Sequence, residues 1–157
     1  MIDSLLRGII LSVLPVSELR GGIPTAFLGG TDIFLAFIVC VIANILIIPV
    51  VFFFLKFINH ALLKVKWYEK IFTRTIERSR KKINDNVDKY GYLGLMIFVA
   101  IPLPVTGAYT GTLGAWAMGL DWKKSFLFIS LGVIIAGIIV SLVTFYGIGP
   151  LSIFIKK

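Results

Sequence analysis

Leu14-Pro15-Val16-Ser17-Glu18-Leu19-Arg20-Gly21-Gly22-Ile23-Pro24 breaks into an apolar region that covers residues 5–30. Proline removes a backbone donor and clashes with the preceding turn, so a helix is predicted to end or kink here. A second apolar region, 92–119, is broken in the same way by Ile101-Pro102-Leu103-Pro104-Val105-Thr106-Gly107. In lipid a bare break would leave backbone groups unpaired, which is tolerated only inside protein or beside a water-filled cavity. Both regions therefore read as re-entrant hairpins or broken helices. Pro15, Gly21, Gly22 and Pro24 are the expected break residues of the first, and Pro102, Pro104, Gly107 and Gly111 those of the second.

Residues 33–58 and 125–148 differ from these by being nearly uninterrupted. Each is long enough to cross a hydrocarbon core of about 30 Å with tilt. Across all 157 residues, 58% are apolar, 15% are charged and the mean hydropathy is +0.97. A typical soluble domain has about 25% charged residues. The composition excludes a soluble enzyme, a disordered tail and a nucleic-acid-binding domain, and it predicts a multi-pass membrane protein of the cell membrane. Asp3 precedes the first arginine and no small-residue cleavage site follows a clean apolar stretch, so no removable signal peptide is expected.

The net charge is +8. The stretch 56–89 holds ten basic residues and four acidic ones, which gives it +6 of that total. Such a loop is normally retained in the cytoplasm. Within it, Phe72, Ile76, Ile83 and Val87 recur at helical spacing among Arg and Lys, as in an interfacial amphipathic helix or a solvated helical hairpin. Cys40 is the single cysteine and His60 the single histidine. No disulfide framework, metal site or cofactor is expected. No hydrolase triad or phosphate-binding loop is visible, so the reading is not an enzyme.

Sliding the sequence by 89 residues without a gap brings the two broken regions into register. Leu14 meets Leu103, Pro15 meets Pro104, Val16 meets Val105 and Ser17 meets Thr106; Gly22, Ala26, Gly30 and Asp32 meet Gly111, Ala115, Gly119 and Asp121. Interrupted apolar segments at matching positions of two repeats point to a transport site. The predicted fold is an all-α integral membrane domain over 1–157. Repeat one covers 1–58, a basic cytoplasmic linker 59–89, and repeat two 90–157. Each repeat is a re-entrant or broken hairpin followed by one transmembrane helix. Inversion of the halves is preferred to a parallel arrangement because paired hairpins explain the prolines. It would bring both hairpin tips to the midplane, with Glu18 and Arg20 against Thr106, Tyr109 and Thr110.

Intramembrane ionisable residues are costly and usually functional. Arg20 can grip a phosphate or carboxylate with its planar fork. Glu18 in a partly dry site is a candidate proton carrier; a structural Glu18–Arg20 pair is the alternative. Ser17, Thr106, Tyr109 and Thr110 supply hydroxyls. Asn44 is either an interhelical hydrogen bonder or a site residue. Asp32 and Asp121 are expected to cap the helices that follow them.

At these motifs the chain resembles the small multidrug export protein family. The resemblance is carried by Ser17-Glu18-Leu19-Arg20-Gly21-Gly22-Ile23-Pro24 together with Pro102-Leu103-Pro104-Val105-Thr106-Gly107-Ala108-Tyr109-Thr110-Gly111. That family is itself similar to the DedA-like (VTT-domain) membrane proteins, which implies paired re-entrant hairpins and proton-linked translocation of lipid or lipid phosphate. DedA-like proteins carry arginines in the second motif; here Thr106, Tyr109 and Thr110 stand instead, so an anion contact rests on Arg20. The expected function is a small secondary transporter or flippase for an amphiphilic or lipid-phosphate substrate. The rival is a non-transporting scaffold whose basic linker binds anionic lipid or a partner protein. Shielding of irregular backbone at membrane depth predicts a homodimer.

Overall fold

In the computed structural model, residues 2–58, 73–74, 77, 91–103 and 106–155 are described, the side chains of 58 and 148–155 excepted. Six α-helices and no strand occur among them: α1 (Ile2–Val13), α2 (Glu18–Leu28), α3 (Ile33–Phe53), α4 (Tyr92–Ala100), α5 (Ala108–Ala117) and α6 (Trp122–Ile155). A π-helical turn, Phe54–Ile58, extends α3. Of the basic linker only Thr73, Arg74 and Glu77 are described, so its expected amphipathic helix falls outside the described residues.

Two stretches are long and apolar enough to cross a membrane: Ile33–Phe57, with 25 residues, and Trp122–Gly147, with 26. At 1.5 Å per residue they measure about 37 and 39 Å. The 12 residues of α1 and 11 of α2 give only about 18 and 16 Å, short of a crossing. The breaks fall where proline required them, at Leu14–Ser17 and between Ala100 and Ala108. Pro104 and Val105 lie outside the described residues.

Gly21, Gly22, Pro24 and Gly111 do not mark breaks. The first three sit inside α2 and Gly111 sits inside α5. Packing explains Gly22: a Cβ there would fall 2.6 Å from the Gly8 carbonyl oxygen and onto the Ser12 side chain. The glycine lets α1 and α2 touch backbone to backbone, the small-residue contact by which helices pack in lipid. Pro24 is accommodated in mid-helix, where it has no N–H to offer the Arg20 carbonyl.

The chain divides into two compact units. The first takes Met1–Ile45 and Val133–Lys157: the α1–α2 hairpin, the start of α3 and the end of α6. Its core includes Ile23, Ala26, Ala36, Cys40 and Val133. Here α3 and α6 run antiparallel. Gly137 abuts Val41 and Phe37, while Phe145, further along α6, stacks 6.2 Å from Phe27, which precedes α3. The second unit takes Leu46–Gly132: the end of α3, the α4–α5 hairpin and the start of α6. Leu95, Val99, Ala115 and Ile129 are buried in it, and Phe52 stacks on Trp122 at 4.4 Å.

Local geometry repeats between the hairpins. The helices α2 and α5 end at Leu28 and Ala117, and α3 and α6 begin at Ile33 and Trp122, each pair 89 residues apart. The Gly30 N–H donates to Phe27 and that of Thr31 to Ala26; the Gly119 N–H donates to Trp116 and that of Leu120 to Ala115. Asp32 accepts from the Phe34 and Leu35 amides at 2.9 and 3.1 Å, and Asp121 from the Lys124 amide at 3.0 Å. Both carboxylates are helix caps, as their positions predict.

Candidate functional site

The last carbonyls of a helix have no partner within it, and in hydrocarbon each one left bare costs several kcal/mol. At the end of α1 the protein supplies the missing donors from side chains. The Ser17 hydroxyl donates to the Leu11 carbonyl at 2.5 Å, and the Asn44 amide, from α3, donates to the Ser12 carbonyl at 2.7 Å. The Leu14 carbonyl accepts from the Glu18 amide at 3.0 Å. Asn44 is 1% exposed, so its interhelical role is the one observed. The second break uses the residue in register with Ser17. Thr106 donates to the Ile101 carbonyl at 2.5 Å, lies 2.8 Å from that of Leu103, and accepts from the Leu103 amide at 3.1 Å. Three residues expected to bind substrate thus also hold the hairpins closed.

Glu18 opens α2 and is 6% exposed. Its φ is +45°, and among the described residues it is the one non-glycine in the left-handed region. Such a backbone costs an ordinary L-residue about 1–2 kcal/mol. In register with it in the second hairpin stands Gly107, with φ of +144°. Both breaks leave by a positive φ, but one carries a carboxylate where glycine would be unstrained. Strain of this kind clusters at functional sites.

Arg20 follows on the first turn of α2 and is half-buried. Glu18, Arg20, Ser17 and Asn44 belong to the first unit; Thr106, Tyr109 and Thr110 belong to the second. Tyr109 and Thr110 are half-buried on α5, and the buried Thr112 hydroxyl bonds back to the Ala108 carbonyl at 2.6 Å. The described residues of the α4–α5 hairpin, 91–103 and 106–117, carry no charged side chain. No group of three or more His, Cys, Asp or Glu residues that could hold a metal ion occurs among the described residues. Sequence reasoning singled out Glu18 for its charge but missed its backbone. The signal lay in the register, which sets Glu18 opposite a glycine.

In comparisons with known proteins, a family model described as "Putative small multi-drug export protein" matches residues 18–139. No curated protein and no solved structure matches the chain.

Proposed function

The chain belongs to the small multi-drug export protein family, and we propose that it is a secondary exporter of small amphiphilic molecules in the plasma membrane. One observation carries the reading: a buried glutamate held at φ +45° at a hairpin break, where the equivalent break uses glycine. Backbone strain of this kind clusters at functional sites, and an ionisable side chain within an apolar segment is usually functional. Glu18 takes up and releases the coupling proton. Arg20, two residues on, contacts the anionic group of a substrate with its planar fork. Ser17, Asn44 and Thr106 keep the broken backbone satisfied, and Tyr109 and Thr110 offer hydroxyls on the second hairpin.

The architecture in this reading is a pair of inverted repeats. Matching turn hydrogen bonds 89 residues apart support the duplication. Antiparallel packing of the start of α3 against the end of α6 supports the inversion, because these two helices are register equivalents. Hairpins whose arms are too short to cross support re-entry from one side. We read the active form as a homodimer, whose partner would shield irregular backbone from lipid.

A thermal-shift screen of the purified protein against lipid phosphates and cationic amphiphiles tests the substrate class, since a ligand that binds only the folded state stabilises it. At a hundred times its Kd a ligand contributes about 2.7 kcal/mol. A lipid phosphate that stabilises wild type should do so far less in Arg20→Gln. An undiminished shift in that variant would remove Arg20 from the site.

A further inference from the structure

A groove of about 300 Å³ opens in the second unit, lined by Pro49, Phe52, Phe53, Lys56, Phe57 and Trp122. Another, of about 350 Å³, opens in the first unit between the start of α3 and the end of α6. Every residue lining the smaller groove falls 89 positions from one lining the larger: Trp122 from Ile33, Phe57 from Tyr146, Lys56 from Phe145. The grooves are thus register equivalents, yet only the smaller one carries a charge.

Lys56 is exposed, and its ammonium stands 5.3 Å from the centroid of the Phe57 ring. Phe53 stacks on Phe57 at 4.6 Å and Phe52 on Trp122 at 4.4 Å, which gives an aromatic floor beside that cation. The backbone differs between the copies too. Lys56 and Phe57 ride on the π-helical turn Phe54–Ile58, whereas residues 143–147 are regular α-helix. Single π turns inside α-helices occur frequently at functional sites. Exposed Lys123 and Lys124 follow Trp122 on the first turn of α6, and the basic stretch continues from Lys56 to Lys89. By the charge rule this is the cytoplasmic end of the helices. Basic pockets between transmembrane helices on that side suit anionic lipid headgroups, and aromatic rings suit the headgroup level.

We propose that this groove is a binding site for an anionic phospholipid of the cytoplasmic leaflet, with an acyl chain against Phe52, Phe53 and Trp122 and the phosphate on Lys56. The site does not include Glu18 or Arg20 and does not depend on the export reading. The equivalent groove, with Phe145 in place of Lys56, offers a chain the same kind of surface and its phosphate no cation.

Native mass spectrometry of the full chain in neutral detergent tests this, with equimolar phosphatidylglycerol and phosphatidylcholine of identical chains. Wild type should retain phosphatidylglycerol in preference. Lys56→Gln should lower phosphatidylglycerol retention about fivefold, the contribution of one lysine near an anionic surface, and leave phosphatidylcholine unchanged. Lys56→Arg should restore the preference. Arg74→Gln, which removes one charge from the linker, should leave it as in wild type. Equal retention of both lipids by wild type, an undiminished preference in Lys56→Gln, or an equal loss in Arg74→Gln would overturn the proposal.

Discussion

Replacing Gly22 with alanine should damage the protein more than its single added methyl suggests. In an open helix the change is favourable, by about 0.5–1 kcal/mol, because alanine loses less backbone entropy. Here the new Cβ would stand 2.6 Å from the Gly8 carbonyl oxygen and overlap Ser12. A backbone oxygen cannot swing aside, so α1 and α2 must part. Ser12 cannot simply give way either, since its hydroxyl donates to Gly8 at 2.8 Å and its carbonyl accepts from Asn44. Overpacking of this kind costs about 1–3 kcal/mol, and the helix-propensity gain offsets only part of it. A net loss of about 1–2 kcal/mol follows, which for a chain of this size lowers Tm by about 2–8 °C. Gly147 is the internal control: it lies in α6 with nothing within 4 Å of a Cβ built on it. Gly147→Ala should leave Tm unchanged or raise it slightly. Thermal unfolding followed by tryptophan fluorescence in one detergent compares the two. Equal Tm values for Gly22→Ala and Gly147→Ala would refute the close hairpin packing.

Further outcomes follow from the same geometry. Asn44→Ala strips the buried Ser12 carbonyl of its side-chain donor and should cost about 1–3 kcal/mol, the price of an unsatisfied buried polar group, read as a lower midpoint in denaturing-detergent titration. Glu18→Gly removes the left-handed strain and should raise stability by about 1 kcal/mol while abolishing transport; a variant that is both stabler and fully active would show that the carboxylate is dispensable. Asp32→Ala and Asp121→Ala each remove a cap worth about 1 kcal/mol, and similar Tm losses would match the similar turns. For topology, single cysteines at Asp3 and Lys157 in a Cys40→Ser background should label from outside, and one at Lys81 only after permeabilisation. Labelling of both termini from the cytoplasm would contradict inversion.

The two long apolar helices and both breaks were legible in the sequence because the pattern is local: uninterrupted apolar runs become helices, and Pro15 and Pro102 interrupt them. The carboxylates of Asp32 and Asp121 were legible for the same local reason, since a cap acts within one turn. Gly21, Gly22, Pro24 and Gly111 were not. Each reads as a breaker in isolation, and only the neighbouring helix shows that Gly22 is a contact point inside α2. The stapling of backbone by Ser17, Thr106 and Asn44 depends on partners 3–32 residues away and is invisible to composition. The positive φ of Glu18 left one trace, its register with Gly107. The groove at Lys56 left none, because it is built jointly by the end of α3 and the start of α6.

Whether Glu18 carries the coupling proton is decided by proton movement in proteoliposomes. Protein is reconstituted with a pH-sensitive dye trapped inside, and an amphiphile with an anionic headgroup is added at fixed external pH. Wild type should change the internal pH upon addition and accumulate the amphiphile in step with an imposed proton gradient. Glu18→Gln, which keeps the size of the side chain and removes its titratable group, should show neither the pH change nor gradient-driven accumulation. The same proton flux and accumulation in Glu18→Gln as in wild type would show that Glu18 does not carry the proton.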